Sequence, residues 1–321
     1  MPRPFIIDTD TASDDAVALI MALRWPGVDV KAITLVSGNV PIDQGVRNAL
    51  YTAEVCGVEV PVYRGADRPL VRPAAHAEWF HGKDGMGDQN YPPPKGKAQT
   101  GHAVDVLIET ITANPGIVLV TLGPLTNVAL ALRRAPEIVK NVSRCVVMGG
   151  AACTYGNVTP AAEYNIWCDP EAARIVFLSG LPVEMVGWEH CIGPHALNED
   201  EIAYVKGFDT PMAHLAIDCN AVAKEAFLRQ TGEQGISLPD PVAMSVALDP
   251  TIALRTSKHY VDVEVNSDLT RGMTVVDRLN VASNRRNNVI WHELVAGEPT
   301  VSVVWEIDIP RWKEALYSVL R

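Results

Sequence analysis

Residues 5–15 of the chain read FIIDTDTASDD, so that four aspartates, Asp8, Asp10, Asp14 and Asp15, follow a short apolar run. An apolar run of this length before polar residues is typical of a buried strand. Like charges within a few ångströms disfavour ionisation, so four acids at the end of one strand need shared protons or a bound cation. Carboxylates are the ligands that hard cations prefer. The segment therefore predicts a divalent metal site, and we favour Ca²⁺.

The spacing of these aspartates predicts different roles for them. Asp8 and Asp10 are two residues apart and share one face of the strand end, so we expect Asp10 to face the cation with Asp8 behind it. Asp14 and Asp15 fall in the first turn of a predicted helix, with Ser13 as its N-cap. The helix dipole alone also favours acids at this place, which is the alternative to a metal for this pair.

Strand-like and helix-like segments alternate along the first part of the chain. The predicted strands are Phe5–Ile7, Val30–Val36, Ile117–Leu122, Cys145–Met148 and Pro182–Val186. The predicted helices lie near Asp14–Arg24, Asp43–Cys56, Ala103–Ala113, Leu125–Arg134 and Pro170–Leu178. This order predicts an α/β fold, with a mostly parallel open sheet covered by helices on both faces.

The C-terminal half is predicted to be more helical. Three strand-like runs, Tyr260–Val265, Thr274–Val276 and Val301–Val304, come before a last helix near Trp312. We see no repeat and no linker within the 321 residues, so we expect one domain over residues 1–321.

Composition and charge argue against several classes of function. The formal net charge of -11 opposes a broad nucleic-acid surface, because polyanion binding relies on clustered Lys and Arg. No run of about 20 apolar residues is present, so we expect no membrane span. The six cysteines are scattered and no secretory start is seen, which favours reduced thiols in the cytoplasm. A small neutral ligand fits this composition best.

Polar or glycine-containing segments follow three of the predicted strands: Asp8–Asp15, Ser37–Asn39 and Leu122–Pro124. Ligands of parallel sheets bind beyond the carboxyl ends of the strands, so we expect the three segments to meet in one crevice. The segment His76–Gly101 is too long for a simple connection and predicts a lid or a loop beside the site, with a flexible linker as the alternative.

Other known motifs fit the first segment less well. A phosphatase of the haloacid-dehalogenase type also has Asp-x-Asp after a strand, but it has Thr or Val at the position of Ala12. An EF-hand loop needs a central Gly and a distal Glu, and neither follows Asp8 at the required spacing.

Several further blocks follow the first motif in order along the chain. They are Ser37-Gly38-Asn39, His81-Gly82, Leu122-Gly123-Pro124-Leu125-Thr126-Asn127, Met148-Gly149-Gly150-Ala151 and the segment Asn157–Asn165. With Asp8-Thr9-Asp10-x-x-x-Asp14-Asp15, they make the chain resemble the inosine–uridine-preferring nucleoside hydrolases over nearly its whole length. That resemblance implies Ca²⁺-dependent hydrolysis of a ribonucleoside to ribose and free nucleobase in nucleoside salvage, by a homodimer or homotetramer.

The resemblance also implies a role for each matching residue. The Ca²⁺ ligands would be Asp10, Asp15, the backbone carbonyl of Leu122, and Asp240. The substrate-binding residues would be Asp14 and Asn39 for the ribose hydroxyls, Asn157 and Glu163 for the 5′ hydroxyl, and Asn165 for the 3′ side. Asp10 would accept the proton of the attacking water, a role that needs a basic oxygen within hydrogen-bond reach.

Two positions near the end of this set have alternatives. Asp240 stands between Pro239 and Pro241, where it would also be a good N-cap for a helix over Val242–Ala247. Pro239 departs from the family pattern, because many members have at this place a His that protonates the departing base. His81 is then the candidate catalytic acid, unless the base leaves with little proton help.

Three other functions compete with hydrolysis of a nucleoside. A phosphatase would need Mg²⁺ and an aspartyl nucleophile. A non-catalytic nucleoside- or ribose-binding protein would be consistent with Pro239, and a Ca²⁺-stabilised structural protein would leave the polar segment Asn157–Asn165 without a role. Trp79, Phe80 and Trp188 could stack on a base or could belong to the core.

Overall fold

The structure, a computed structural model, describes residues 2–283 and 301–321. The strands of these residues are β1 (Arg3–Thr9), β2 (Val28–Leu35), β3 (Val62–Arg64), β4 (Ile117–Thr121), β5 (Val142–Met148), β6 (Val183–Val186), β7 (Ala253–His259), β8 (Val261–Val263), β9 (Thr274–Val276) and β10 (Val301–Ile307). Their α-helices are α1 (Ser13–Arg24), α2 (Ile42–Val55), α3 (Glu78–His81), α4 (Ala103–Ala113), α5 (Thr126–Arg134), α6 (Tyr164–Cys168), α7 (Pro170–Phe177), α8 (Glu199–Lys206), α9 (Pro211–Asp218), α10 (Ala221–Thr231), α11 (Pro239–Leu248) and α12 (Ile309–Leu320).

Eight of the strands form one sheet in the order β3-β2-β1-β4-β5-β6-β10-β7. All neighbours in it are parallel except β10 and β7, which confirms the predicted mostly parallel α/β sheet. β1 lies between β2 and β4, so the strand order reverses beside it. A crevice forms at such a point in an open parallel sheet, and the four aspartates of residues 8–15 are at its mouth.

Alternate side chains of β1 enter two different cores. Phe5 and Ile7 belong to one apolar cluster and Ile6 to the other. Helices α1, α11 and α12 contribute to the first cluster, and helices α4, α5 and α7 contribute to the second. Both faces of the sheet are therefore covered by helices, as predicted.

Two strands of the sheet were not predicted from the sequence. β3 is only three residues long. β7 lies at an edge of the sheet and its residues 254–258 are exposed, so it lacks the apolar alternation that indicates a half-buried strand. The predicted strand Tyr260–Val265 is shorter, and as β8 it pairs with β9 in a separate antiparallel hairpin. In the described parts of the chain, no helix has the length and apolar character needed to cross a membrane.

Candidate active site

A crevice with about 610 Å³ of empty space, part of it open to solvent, lies at the carboxyl end of the sheet. The lining includes eight residues predicted from the sequence: Asp14, Asn39, His81, Leu122, Asn157, Glu163, Asn165 and Asp240. Asp10 and Asp15 complete the predicted set, and both are fully buried. The segment His76–Gly101 borders the crevice through α3, as predicted for a loop beside the site.

Asp10 is held closely by two glycines. Its Oδ2 accepts a hydrogen bond from the backbone N–H of Asn39. A Cβ atom at Gly38 would lie 2.0 Å from Asp10 Oδ2, and one at Gly123 would lie 2.8 Å from Asp10 Oδ1, so neither place tolerates a side chain. Asp10 Oδ1 is buried and has no hydrogen-bond partner among the described residues. The carboxylate is thus fixed through one oxygen, and the other is left for a ligand.

The turn between β1 and α1 is organised by Asp15. Its Oδ1 accepts from the Thr9 hydroxyl at 2.5 Å, and its Oδ2 accepts from the backbone N–H of Ala12 at 2.8 Å. Ala12 is the N-cap of α1, so the prediction of Ser13 as the cap is wrong. The Ser13 hydroxyl instead lies 2.8 Å from His81 Nδ1. The Asp15 carboxylate thus accepts the backbone N–H of the N-cap residue, as the third helical residue does in a capping box.

Three carboxylates meet beside this turn. One oxygen each of Asp14, Asp15 and Asp240 lies within 4.8 Å of the others, and all three residues are buried. Because Ca²⁺ binds oxygens at about 2.3–2.6 Å, three oxygens this close together can bind one such ion. Asp240 lies in the first turn of α11, whose N-cap is Leu238, so the alternative of Asp240 as an N-cap is wrong. The triplet contains two of the predicted ligands and adds Asp14.

Burial raises the pKa of every carboxyl group in this cluster. It raises the pKa of Asp14 to about 6 and that of Asp15 to about 6. It also raises the pKa values of Asp10 and Asp240 well above the ordinary range, and the neighbouring aspartates add to this. Asp8, behind the cluster, has its pKa raised by burial to about 7, and its Oδ2 accepts from Thr34 and Asn127. Such mutual repulsion is relieved by a bound cation.

Glu163 and Asn165 lie on the opposite wall. Glu163 is the N-cap of α6, where its carboxylate accepts from the backbone N–H groups of Gly150, Asn165 and Ile166. Burial raises its pKa to about 7. The Asn165 side chain donates to the carbonyl oxygen of Leu122 at 3.0 Å, so it ties this wall to the end of β4. The predicted irregular segment therefore ends at Glu163, one short helix earlier than expected.

Two side-chain oxygens next to α6 accept hydrogen bonds from backbone N–H groups. Asp169 caps α7, with Pro170 as its first residue, and the cap accepts from Ala172 at 3.1 Å. Asn157 accepts from the backbone N–H of Tyr164 through Oδ1. Its amide nitrogen has no hydrogen-bond partner among the described residues, and Asn157 lines the crevice, where this group can donate to a hydroxyl.

His81 is the one histidine among the described residues that line the crevice. Burial lowers its pKa to about 4, so its ring is neutral near pH 7. Asp14 Oδ1 lies 3.7 Å from His81 Nδ1, beyond hydrogen-bond distance, while Ser13 is closer. No group of the described residues binds Nε2.

The crevice lining also includes Trp79, Phe80, Val158, Trp188 and Gln230. Trp79 is 57% exposed and is free to stack on a ligand, whereas Trp188 is 3% exposed and packs in the core. Gln230, near the end of α10, and Ser237 were not predicted as site residues. No motif marks them in the sequence, because Gln230 on α10 and Ser237 in the segment before α11 reach the crevice only through tertiary packing.

A family model described as inosine-uridine preferring nucleoside hydrolase matches residues 5–314. The chain belongs to this family. A pyrimidine-specific ribonucleoside hydrolase of Escherichia coli, RihB, is 36% identical over 289 residues, which are 90% of this chain and 91% of that protein. Among solved structures, a purine-preferring ribonucleoside hydrolase from Gardnerella vaginalis is 32% identical and has a TM-score of 0.88, with 99% of this chain and 98% of that chain covered.

A plant nucleoside hydrolase, PpNRh1, is also similar in structure to this nucleoside hydrolase, with a TM-score of 0.88 and 31% identity. The similarity covers 100% of this chain and 99% of that one. Family membership confirms the predicted enzyme class, an N-ribosyl hydrolase. The printed names of the relatives differ in base preference, one pyrimidine-specific and one purine-preferring.

Proposed function

We propose that this nucleoside hydrolase uses Ca²⁺ to hydrolyse ribonucleosides to ribose and free nucleobase, in nucleoside salvage. The observation that carries the proposal is the buried triplet Asp14, Asp15 and Asp240, which faces the hydroxyl-binding wall of Glu163 and Asn165 across one crevice. Neutral hydroxyls suit this wall, because the crevice lining contains no Lys or Arg among the described residues to pair with a phosphate.

The proposed Ca²⁺ ligands are Asp10, Asp15, the carbonyl oxygen of Leu122, and Asp240. All are oxygen donors, and the unpartnered Asp10 Oδ1 together with the 4.8 Å triplet supports their fit to a hard cation. When bound, Ca²⁺ would hold the ribose diol and lower the pKa of a water molecule. Together with Asn39, Asp14 would bind the ribose hydroxyls.

Asp10 accepts the proton of the attacking water in this proposal. The N–H of Asn39 holds its Oδ2, which fixes the carboxylate beside the proposed metal site, where it can accept this proton. Asn157 and Glu163 then bind the 5′ hydroxyl and Asn165 the 3′ side, which fixes the anomeric carbon relative to Asp10.

His81 assists departure of the base, since Pro239 has no titratable group. His81 lies in the crevice lining together with Trp79 and Phe80, which supports a place for the base beside these residues. We also propose that residues 1–321 act as one domain and that the enzyme is a cytoplasmic homodimer or homotetramer. Light scattering after gel filtration would measure the assembly state.

A panel of nucleosides incubated with the protein and Ca²⁺, followed by chromatography of the products, tests the proposed function. Free base and ribose are expected, and a chelator should stop their release. Binding of nucleosides without release of base would favour the non-catalytic binding protein. Phosphate release from nucleotides with Mg²⁺ would favour the phosphatase, and either result would contradict the proposal.

A further inference from the structure

We infer that Ser13 is a positioning residue, which holds the His81 ring with its proton on Nε2 and so presents a hydrogen-bond donor to the departing nucleobase. The inference rests on the proposed function, because it concerns the same reaction. It gives a role in the reaction to Ser13, which the sequence predicted only as a helix cap.

The pair joins two distant parts of the chain. Ser13 Oγ and His81 Nδ1 are 2.8 Å apart although the residues are 68 positions apart in sequence. Ser13 is fully buried in the first turn of α1, and His81 is the last residue of α3. The serine is not used as a cap, since Ala12 has that place and Asp15 accepts its N–H. Its hydroxyl is therefore available for the imidazole.

The burial of the Ser13 hydroxyl determines which partner donates this hydrogen bond. Among the described residues, His81 Nδ1 is the sole partner of the Ser13 hydroxyl. If Nδ1 carried a proton, in the other tautomer or in the imidazolium, Ser13 would have to accept, and its own buried proton would have no acceptor. A buried donor without a partner costs about 1–3 kcal/mol. If Ser13 donates, each polar atom of the pair is satisfied and the ring proton is on Nε2.

Asp14 does not reverse this assignment. Its Oδ1 is 3.7 Å from His81 Nδ1, too far for a hydrogen bond, and the Ser13 hydroxyl lies closer to the same nitrogen. In the proposed function, moreover, the Asp14 carboxylate accepts from a ribose hydroxyl. The carboxylate of Asp15 also interacts electrostatically with the His81 ring. Its two oxygens, however, already accept hydrogen bonds from the Thr9 hydroxyl and the backbone N–H of Ala12.

His81 lines the crevice, and Nε2 is the ring nitrogen that Ser13 does not bind. As the bond between the anomeric carbon and the base nitrogen breaks, its electron pair passes to the base. A hydrogen bond from Nε2 stabilises the negative charge that develops there, and the free base takes up its proton from solvent after it leaves. Water supplies the new bond to the anomeric carbon and gives its proton to Asp10.

The tautomer can be read without any turnover. In protein labelled with ¹⁵N at histidine, the ring signals of His81 are assigned by their loss in His81→Gln, in the metal-free and in the Ca²⁺-loaded protein. We expect an unprotonated Nδ1 and a protonated Nε2 in the wild type, and a mixture of tautomers in Ser13→Ala. A proton on Nδ1 of the wild type would overturn the inference, and this result does not depend on the folding of Ser13→Ala.

Kinetics with two leaving groups test the consequence. The best ribonucleoside of the panel needs help at the base, whereas 4-nitrophenyl riboside releases a stable anion that needs none. Ser13→Ala should lower kcat on the nucleoside about 10-fold or more and change kcat on the nitrophenyl riboside less than about 2-fold. Ser245→Ala, a control at a fully buried helical serine that bonds the carbonyl oxygen of Val242, should change neither.

The outcomes separate the two proposals. Equal loss on both substrates in Ser13→Ala would show a merely structural serine and would sink the inference while leaving nucleoside hydrolysis intact. No release of base from any ribonucleoside by the wild type would instead contradict the proposed function itself.

Discussion

The two ends of the crevice are built differently. At the acidic end, formed by Asp10, Asp14, Asp15 and Asp240, every side chain is buried and lies on a strand end or in the first turn of a helix. At the open end, formed by Trp79, Phe80, Val158 and Gln230, the residues lie on a four-residue helix, a loop and the last turn of α10. Trp79 there is 57% exposed.

This difference separates the residues that determine the reaction from those that determine which nucleobase is preferred. Backbone N–H groups in the turns that follow β1 and β2, those of Ala12 and Asn39, hold the carboxylates, so the acidic end cannot change without disturbing these turns. Loop residues carry no such constraint and tolerate substitution. We therefore expect the acidic end to determine the reaction and the open end to determine the base.

The largest effect is expected at the acidic end, from Asp10→Asn. The amide keeps an oxygen for the metal but cannot accept the proton of water, so kcat should fall by about 10³-fold or more. The fold should survive, because the amide fits the same space between Gly38 and Gly123. Steady-state kinetics and the midpoint of thermal unfolding measure the two effects.

Asp29→Asn is the matched control for that change, since Asp29 is an exposed aspartate on β2 that pairs with Lys31. It should leave kcat within about 2-fold, because exposed ion pairs contribute little. Full turnover by Asp10→Asn would remove Asp10 from the role of base and would weaken the distinction between the two ends.

The second effect concerns the sugar. A 2′-deoxynucleoside lacks one hydroxyl that Asp14, Asn39 and the metal would bind, and groups left unpaired in a buried site cost about 1–3 kcal/mol. We expect kcat/KM to be about 100-fold lower for deoxyuridine than for uridine, or for the corresponding purine pair. Comparable rates for both sugars would show that the acidic end does not grip the diol.

The third effect tests the open end. Trp79→Ala removes an exposed ring that can stack on a base, and such stacking contributes about 1–3 kcal/mol. We expect the ratio of kcat/KM between uridine and inosine to change by about 10-fold, while kcat on 4-nitrophenyl riboside stays nearly constant. Tyr204→Ala, at a 51% exposed tyrosine outside the crevice lining, is the control. An equal fall on all three substrates would place Trp79 in the reaction.

The acidic end was largely predictable from the sequence, and the open end was not. Short apolar runs predicted β1, β2, β4, β5 and β6, and the rule that ligands bind beyond the carboxyl ends of parallel strands predicted that residues 8–15, 37–39 and 122–124 meet in one crevice. Asp240 was assigned to the metal site by the family resemblance alone. Local geometry was less accurate, since Ser13 was expected to cap α1, whereas the N-cap is Ala12, whose N–H donates to Asp15.

The remaining features depend on contacts between distant segments. The pairing of Ser13 with His81 and the approach of Gln230 to the crevice both follow from how α3 and α10 pack, which has no local signature in the sequence. Edge strand β7 was missed for a related reason, because its exposed residues 254–258 carry no apolar alternation. Tertiary packing, rather than local pattern, decides these three features.

The smallest expected effect is the dependence of stability on pH and on Ca²⁺. The folded-state pKa values of Asp14 and Asp15, about 6, lie above the ordinary value because of burial, so folding without metal favours the protonated acids. Their contribution to stability is present below pH 4 and is lost as pH rises through about 6. The unfolding midpoint of the metal-free enzyme should therefore fall between pH 5 and pH 8, as scanning calorimetry in chelator would show.

Calcium should reverse that loss, because a divalent ion replaces the protons. With Ca²⁺ at about 100 times its dissociation constant, the stabilisation near pH 8 is about 2.7 kcal/mol, or about 5 °C in the unfolding midpoint, and it should shrink toward pH 5 as protons compete for the carboxylates. Asp240→Asn should reduce both the fall with pH and the effect of Ca²⁺, whereas Asp29→Asn should change neither. An equal rise in the unfolding midpoint with Ca²⁺ at pH 5 and pH 8 would mean that the ion binds elsewhere and not at the acidic end.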